Sequence, residues 1–534
     1  MKKIAYKSFI ILMLSAVVFS SCDDWFDLRP QSETILEDYW TDKNDVLSAL
    51  SACYRGLNDP SVMERLIVWG EVRSDNVIGG ARAQDNRELE DILTLKLNAS
   101  NGYSSWGDFY KIINYCNNVI HFAPEVRKKD PVNFSEREMQ SYIAEAKGIR
   151  ALCYFVLVRT FKNVPFVKEP VIDDTESFEL SSTDPDELLA FLVEDLKSIE
   201  NVAPLTWENN LRYSKGRITR AAIYALIADI SLWLKDYQTC VEYCDRILYP
   251  TDSNAPVFSL ASGLQHHTEV FIMGNSDESI FELQFNAGNI ANYVAFEMYQ
   301  YLVSGSGLGR SGTVFQLSAA NFNLRNSFFA TTDVRATESF IPIETNGYYP
   351  ILKYVGARIN NLSTVPDIRD YSSVATNYIN WIFYRLPDIY LMQAEALVEL
   401  NGAASRDKII ELVKYTYARS NLMDINSAEL DGYFAAYNDV ASLRNLVFDE
   451  RQREFLFEGK RYYDLVRRAE RENNAENIVR QYLLNKYASS NLNTVLSKTG
   501  TINALYMPIN RDEVRLHGGK LEQNPFYKEP EGNE

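Results

Sequence analysis

Gly216 to Tyr249 reads GRITRAAIYALIADISLWLKDYQTCVEYCDRILY. Apolar side chains recur every three or four positions on both sides of Lys235-Asp236-Tyr237, which predicts two helices broken at those residues. Ala221, Ala222, Ala225 and Ala228 keep the first helix thin, so a neighbouring helix can approach closely. Two short helices cannot bury their apolar faces alone; stacking further pairs on them gives a continuous core.

A similar pair recurs at Pro387 to Arg419, PDIYLMQAEALVELNGAASRDKIIELVKYTYAR, turning at Asn401-Gly402. Helix, short turn, helix is the tetratricopeptide (TPR) arrangement. Asp108 to Phe122 puts Phe109, Ile112, Ile113, Cys116, Val119 and Ile120 on one helical face, and Glu136 to Phe161 forms a longer helix, apolar on all sides after Ala151 and stopped at Asn163-Val164-Pro165. Short strands are expected at 278–285, 349–355, 381–386 and 505–509. Between Asn286 and Ala375 the periodicity fades, and Gly, Ser, Asn and Tyr accumulate. The expectation is a mainly α protein, a TPR-like superhelix with a less regular half containing a few short strands. Irregular segments of this length inside a compact protein commonly carry function.

The start of the chain sets the compartment. Lys2, Lys3 and Lys7 precede the apolar run FIILMLSAVVF from Phe9 to Phe19, then Ser20, Ser21 and Cys22. Basic, apolar, small is a secretion signal, and the run is shorter than the roughly 20 apolar residues of a membrane-spanning helix. Small residues followed by cysteine resemble the lipobox of bacterial lipoproteins, which makes Cys22 the acylated first residue after cleavage; the rival reading is half of a disulfide. Cys53, Cys116, Cys153, Cys240 and Cys244 sit in apolar helical patterns and read as core residues.

The formal net charge of −18 over 534 residues argues against nucleic acid and anionic membrane surfaces as partners. Aromatic residues make up 13% of the chain, with 33 tyrosines, and a tyrosine offers a flat apolar face and a hydrogen-bonding tip suited to sugars. Two motifs invite other chemistry. Gly307 to Gly312, GLGRSG, fits a dinucleotide fingerprint with Asp333 downstream, yet no βαβ series surrounds it. Cys240, Cys244, His266 and His267 lack metal-ligand spacing. With four histidines and no nucleophile-elbow motif, a serine hydrolase has little support; a glycosidase needs only two carboxylates and stays open.

Six stretches, in order, resemble the SusD/RagB family of outer-membrane lipoproteins: CDDWFDLRPQSE from Cys22 with Tyr39-Trp40, SSWGDFYKIINYCNNVI from Ser104, AEAKGIRALCYFVLVRTFKNVPFV from Ala144, RLPDIYLMQAEAL from Arg385, DERQREFLFEGKRYYDLVRR from Asp449, and LYMPINRDEVRLHGGKLEQNPFY from Leu505. The resemblance implies a signal peptide over 1–21, an N-terminal region with TPR-type helices over 22–230, and a C-terminal region with ligand-side loops over 270–534, in one compact unit. It implies a lipid-anchored protein facing the cell surface. Such a protein binds glycan and delivers it to a TonB-dependent (SusC/RagA-like) barrel. Alternatives are a peptide binder of the RagB type and, further off, a surface glycosidase. No enzyme activity, cofactor or metal is implied. Asp23 and Asp24 look like a surface-export signal. The charged residues of the Asp449 stretch read, on spacing alone, as a salt-bridged helix pair broken at Gly459.

A sugar site needs aromatic faces and a few fixed polar groups. Tyr293, Tyr299 and Tyr301 in the irregular half, Tyr103 before Trp106, and Asp75, Asn76, Arg82 and Asn86 in RSDNVIGGARAQDN are the candidate ligand-binding residues; Tyr348-Tyr349 lie in the same irregular half.

Overall fold

The computed structural model describes residues 39–80, 82–172, 179–207, 210–286, 290–299, 318–320, 328–340, 351–354, 357–359, 371–373, 378–487 and 492–528. The leader, Cys22, Asp23, Asp24, Tyr301, Tyr348, Tyr349 and the Gly307–Gly312 motif lie outside these residues.

Helices Lys43–Leu57, Gly107–Lys129, Glu136–Phe161, Pro185–Lys197, Arg220–Trp233, Tyr237–Leu248, Leu386–Asn401, Arg406–Asn421 and Val440–Glu454 pack in series. Each pair lays its apolar stripe on the next, the TPR-like arrangement expected. The helix at Glu136–Phe161 has the expected bounds. Ser135 opens it, its side chain accepting from the Glu138 amide while the Glu138 carboxylate caps Ser135 in return. Lys162, at φ 68°, turns the chain out at the other end. Arg220–Trp233 and Tyr237–Leu248 part where Lys235 takes φ 65° and Asp236 caps the second helix through the Thr239 amide. Cys53, Cys116, Cys153, Cys240 and Cys244 are all buried, and none is in a disulfide.

Of the expected strands, Ser279–Leu283 and Trp381–Arg385 form and pair with each other, antiparallel. The other two do not form ladders among the described residues. Ile351 makes a single bridge with Phe340. Tyr506 to Ile509 runs extended but spends its amides elsewhere: Met507 N–H donates to the Thr160 carbonyl at 2.8 Å and Ile509 N–H to Gln523 Oε1 at 2.8 Å. Two further ladders join Val77–Gly79 to Ser318–Ala320 and Ala357–Ile359 to Tyr371–Ser373.

One apolar cluster runs from Trp40 to Leu521. At its centre Trp69 stacks on Phe109 with centroids 5.2 Å apart and meets Phe161 edge-on. Gly70 lies so close to Gly459 that a Cβ there would overlap the Gly459 carbonyl. Gly459 itself has φ 73°, which glycine tolerates best.

The charged stretch from Asp449 does form two helices around Gly459, Val440–Glu454 and Arg461–Glu472. Its ion pairs, however, are mostly long-range and buried rather than along one exposed helix face. Arg385 is fully buried and donates to Glu278 at 2.6 Å, to Glu454 at 2.5 Å and to Glu458 at 2.8 and 3.0 Å. Arg335 joins Asp333 and Glu450 at 2.8 Å each and Glu454 at 2.9 Å. Burial opposes ionisation of Glu458, but Arg385, Lys353 and Lys460 outweigh it and hold its pKa near 2. This charged core ties the helix stack to the segments of the irregular half that reach it.

Candidate functional site

The loop from Arg73 to Asn86 leaves the core at one end and caps the Arg87–Leu93 helix at the other. Asn86 Oδ1 accepts from the Leu89 amide at 3.0 Å. Midway, Val77, Ile78 and Gly79 pair with Ala320, Ala319 and Ser318. That short ladder sets the loop against the irregular half. The helix Tyr293–Tyr299 packs on Pro60–Ile67, just before this loop. Asn292 Nδ2 donates to the Ile379 carbonyl at 2.9 Å, which brings residues 378–380 to the same place.

The structure divides the expected ligand residues. Asp75 and Asn76 are interior. Asp75 is forked by Arg461 at 2.8 and 2.9 Å and accepts from Gln452 at 3.1 Å. Asn76 donates to Glu71 at 2.8 Å and accepts from Gln452 at 2.8 Å. Both are buried and staple the loop to the charged core, a structural role that the expectation of hydroxyl-reading residues did not include. Tyr299 is also interior: its ring is fully buried beside Phe457 and its hydroxyl donates to the Phe457 carbonyl at 3.3 Å. Tyr293 opens the same helix.

Arg82, Asn86 and Tyr103 are brought together more loosely. Asn86 Nδ2 donates to the Tyr103 hydroxyl at 2.9 Å, and that hydroxyl donates to Glu64. The Tyr103 ring is 4% exposed, so its face is no stacking platform, and its hydroxyl links Glu64 to Asn86. Burial and Glu64 push the Tyr103 pKa far up, keeping that hydroxyl a proton donor. Arg82 is half-buried and pairs with Asp85 three residues on. Two further residues lie near these elements without a sequence signal. Glu64 looks like an ordinary helical acid, and Tyr378, 37% exposed, lies in a stretch with no periodic signal.

The other candidate chemistries resolve structurally. Cys240 and Cys244 are core residues, and the Cys240 thiol points at the Met392 carbonyl at 3.8 Å. His266 lies instead beside Glu338, at 3.4 Å, and Glu278, at 3.8 Å. His266, Glu278 and Glu454 offer ligand atoms within 4.8 Å of one another. Arg419 nonetheless bridges both carboxylates and Arg385 contacts each of them, so a cation there would meet two guanidinium groups. Asp333, the acid expected to follow the glycine-rich motif, is buried against Arg335.

Stacked helix pairs carrying an irregular half held on by a charged core define a helical-repeat fold, and comparison with known proteins gives it a family. The model described as "SusD family" matches residues 307–527, and one described as "Starch-binding associating with outer membrane" matches residues 24–232. The chain belongs to the SusD family. SusD-like protein P38 of Formosa agariphila is 22% identical over 489 residues, 86% of this chain and 90% of the relative. A SusD superfamily protein from Bacteroides vulgatus superposes with a TM-score of 0.69 at 19% identity, over 91% of this chain and 100% of that one. A laminarin-binding SusD-like protein superposes with a TM-score of 0.67 at 19% identity, over 91% of this chain and 99% of that one.

Proposed function

We propose that the protein is a surface lipoprotein, anchored through Cys22, that captures oligosaccharide and hands it to a TonB-dependent outer-membrane transporter. The observation that carries this reading is the ladder between Val77–Gly79 and Ser318–Ala320. In this reading Arg82, Asn86 and Tyr103 from the loop, with Tyr293 and the exposed Tyr378 from the irregular half, supply the mixture of fixed polar groups and aromatic surface that sugar binding uses. The family's description as starch-binding and associated with the outer membrane supports it, as does the laminarin-binding relative of the same fold. Tyr301 belongs to the same proposed site. The acylated Cys22 with the residues up to Pro30 serves as tether, and the helix stack presents a broad face to the transporter.

Calorimetric titration of the soluble, unlipidated protein against a panel of polysaccharides and peptides, with product analysis after incubation, tests this. Saturable binding of a glycan that is recovered unchanged is expected. Binding of peptides alone would move the protein to the peptide-binding branch. A product peak abolished by one Asp or Glu substitution would make it a glycosidase.

A further inference from the structure

A cleft of about 690 Å3 opens between the Lys43–Leu57 and Glu136–Phe161 helices on one side and the Leu211–Gly216 helix with the end of the Ser279–Leu283 strand on the other. Arg55, Arg212 and Arg217 line it, in a chain whose formal net charge is −18. Arg217 is fixed and compensated. Its guanidinium forks onto the buried Glu145 at 2.6 and 2.9 Å and lies 3.6 Å over the Trp207 ring. Arg55 and Arg212 are different: neither has a carboxylate partner among the described residues. Arg212 spends one N–H on the Phe285 carbonyl at 3.2 Å and Arg55 is exposed. Two uncompensated guanidinium groups therefore address one cleft.

The walls are aromatic. Tyr54 is pinned by its hydroxyl to Glu145, Tyr142 presents a hydroxyl with no hydrogen-bond partner among the described residues, and the Tyr213 ring is 49% exposed. Planar guanidinium forks match carboxylate and sulfate oxygens, and ring faces match the C–H surface of a sugar. A neutral sugar filling this space would replace the water on two cations with neutral hydroxyl acceptors, whereas an anionic sugar also supplies the missing charge and the stronger charge-assisted bonds. We infer that this cleft binds acidic sugar units, through a uronate carboxylate or a sulfate ester, of the glycan the protein captures; the inference rests on the glycan-capture reading and assigns its ligand class.

The test compares uronate oligosaccharides (oligogalacturonate, alginate) and sulfated ones (carrageenan, heparin fragments) with neutral oligosaccharides of equal length, by calorimetry on the soluble full chain. An acidic ligand is expected to bind at least tenfold more tightly than its neutral counterpart and to weaken as salt rises from 50 to 500 mM. Arg55→Ala and Arg212→Ala should each weaken it about tenfold, the loss of a charge-assisted contact. Melting should be unchanged for Arg55→Ala and fall by no more than about 1 °C for Arg212→Ala, which also loses the bond to the Phe285 carbonyl. The uronate and sulfate arms tell which anion is read, and Arg212→Lys, which keeps the charge and loses the fork, should fall between. Equal binding of neutral and acidic glycans, or acidic binding untouched by both variants, would overturn the cleft assignment and leave glycan capture standing. Binding of no glycan of either kind would overturn both.

Discussion

Arg385→Ala is the most revealing single change in the charged core. The native side chain donates five hydrogen bonds: to Glu278, to the Glu454 carboxylate and carbonyl, and twice to Glu458. After truncation, Glu454 still has Arg335 and Arg419, Glu278 has Arg419, and Glu458 has Lys353. Three buried carboxylates then share fewer cations, and the Arg385 space, stacked 4.9 Å over Phe455, empties. Breaking a buried ion pair from one side costs about 3–5 kcal/mol. At roughly 2.1 cal/mol/K of unfolding entropy per residue, a cooperative unit of roughly 490 residues has about 1 kcal/mol/K, so the midpoint should fall by about 3–5 °C. The control is Arg480→Ala, which removes a pair with Glu476 whose side chains are 45% and 53% exposed; exposed pairs contribute about 0–1 kcal/mol, hence less than about 1 °C here. Scanning calorimetry of wild type and both variants measures this. An Arg385→Ala midpoint no lower than that of Arg480→Ala would refute the claim that the buried network holds the halves together.

Gly70→Ala should lower the midpoint by more than Arg385→Ala or abolish soluble expression, because its Cβ meets backbone that cannot swing aside; circular dichroism melting decides. Glu71 is buried, and burial, opposed by Asn76 and the Phe457 and Gly459 amides, lifts its pKa from 4.5 to about 7. Its contribution to stability is then complete below pH 4.5 and lost as the pH rises through 7, so Glu71→Gln should flatten the loss of stability between pH 5 and 8 in denaturant titrations; an unchanged pH slope would contradict it. Cys22→Ala should leave a folded protein that no longer fractionates with membranes lacking the transporter, and persistence in that fraction would dismiss the anchor.

Local pattern made the helix stack legible. The apolar run after Ala151 and the stop at Asn163-Val164-Pro165 marked one helix, and the break at Lys235 shows as a polar interruption of the apolar spacing. What stayed hidden depends on partners far away in the chain. Asp75 in a polar loop looks like a turn residue, and only Arg461, 386 positions on, makes it a buried anchor. Tyr299 shares its surroundings in sequence with surface-type tyrosines, yet it points at Phe457. The Val77–Gly79 ladder is three residues long, too short to leave an alternating signature. Arg55 and Arg212 become neighbours of one cleft only through the packing of three helices and a strand.

The account's central claim is capture at the cell surface in the service of a transporter. Mild detergent extraction of outer membranes, purification through a C-terminal tag on this chain, and mass spectrometry of the eluate address it in one measurement. A much larger β-barrel protein should co-elute, together with the bound glycan when cells have been fed with it. Recovery of this chain alone, from membranes in which the barrel is shown to be present, would contradict the account.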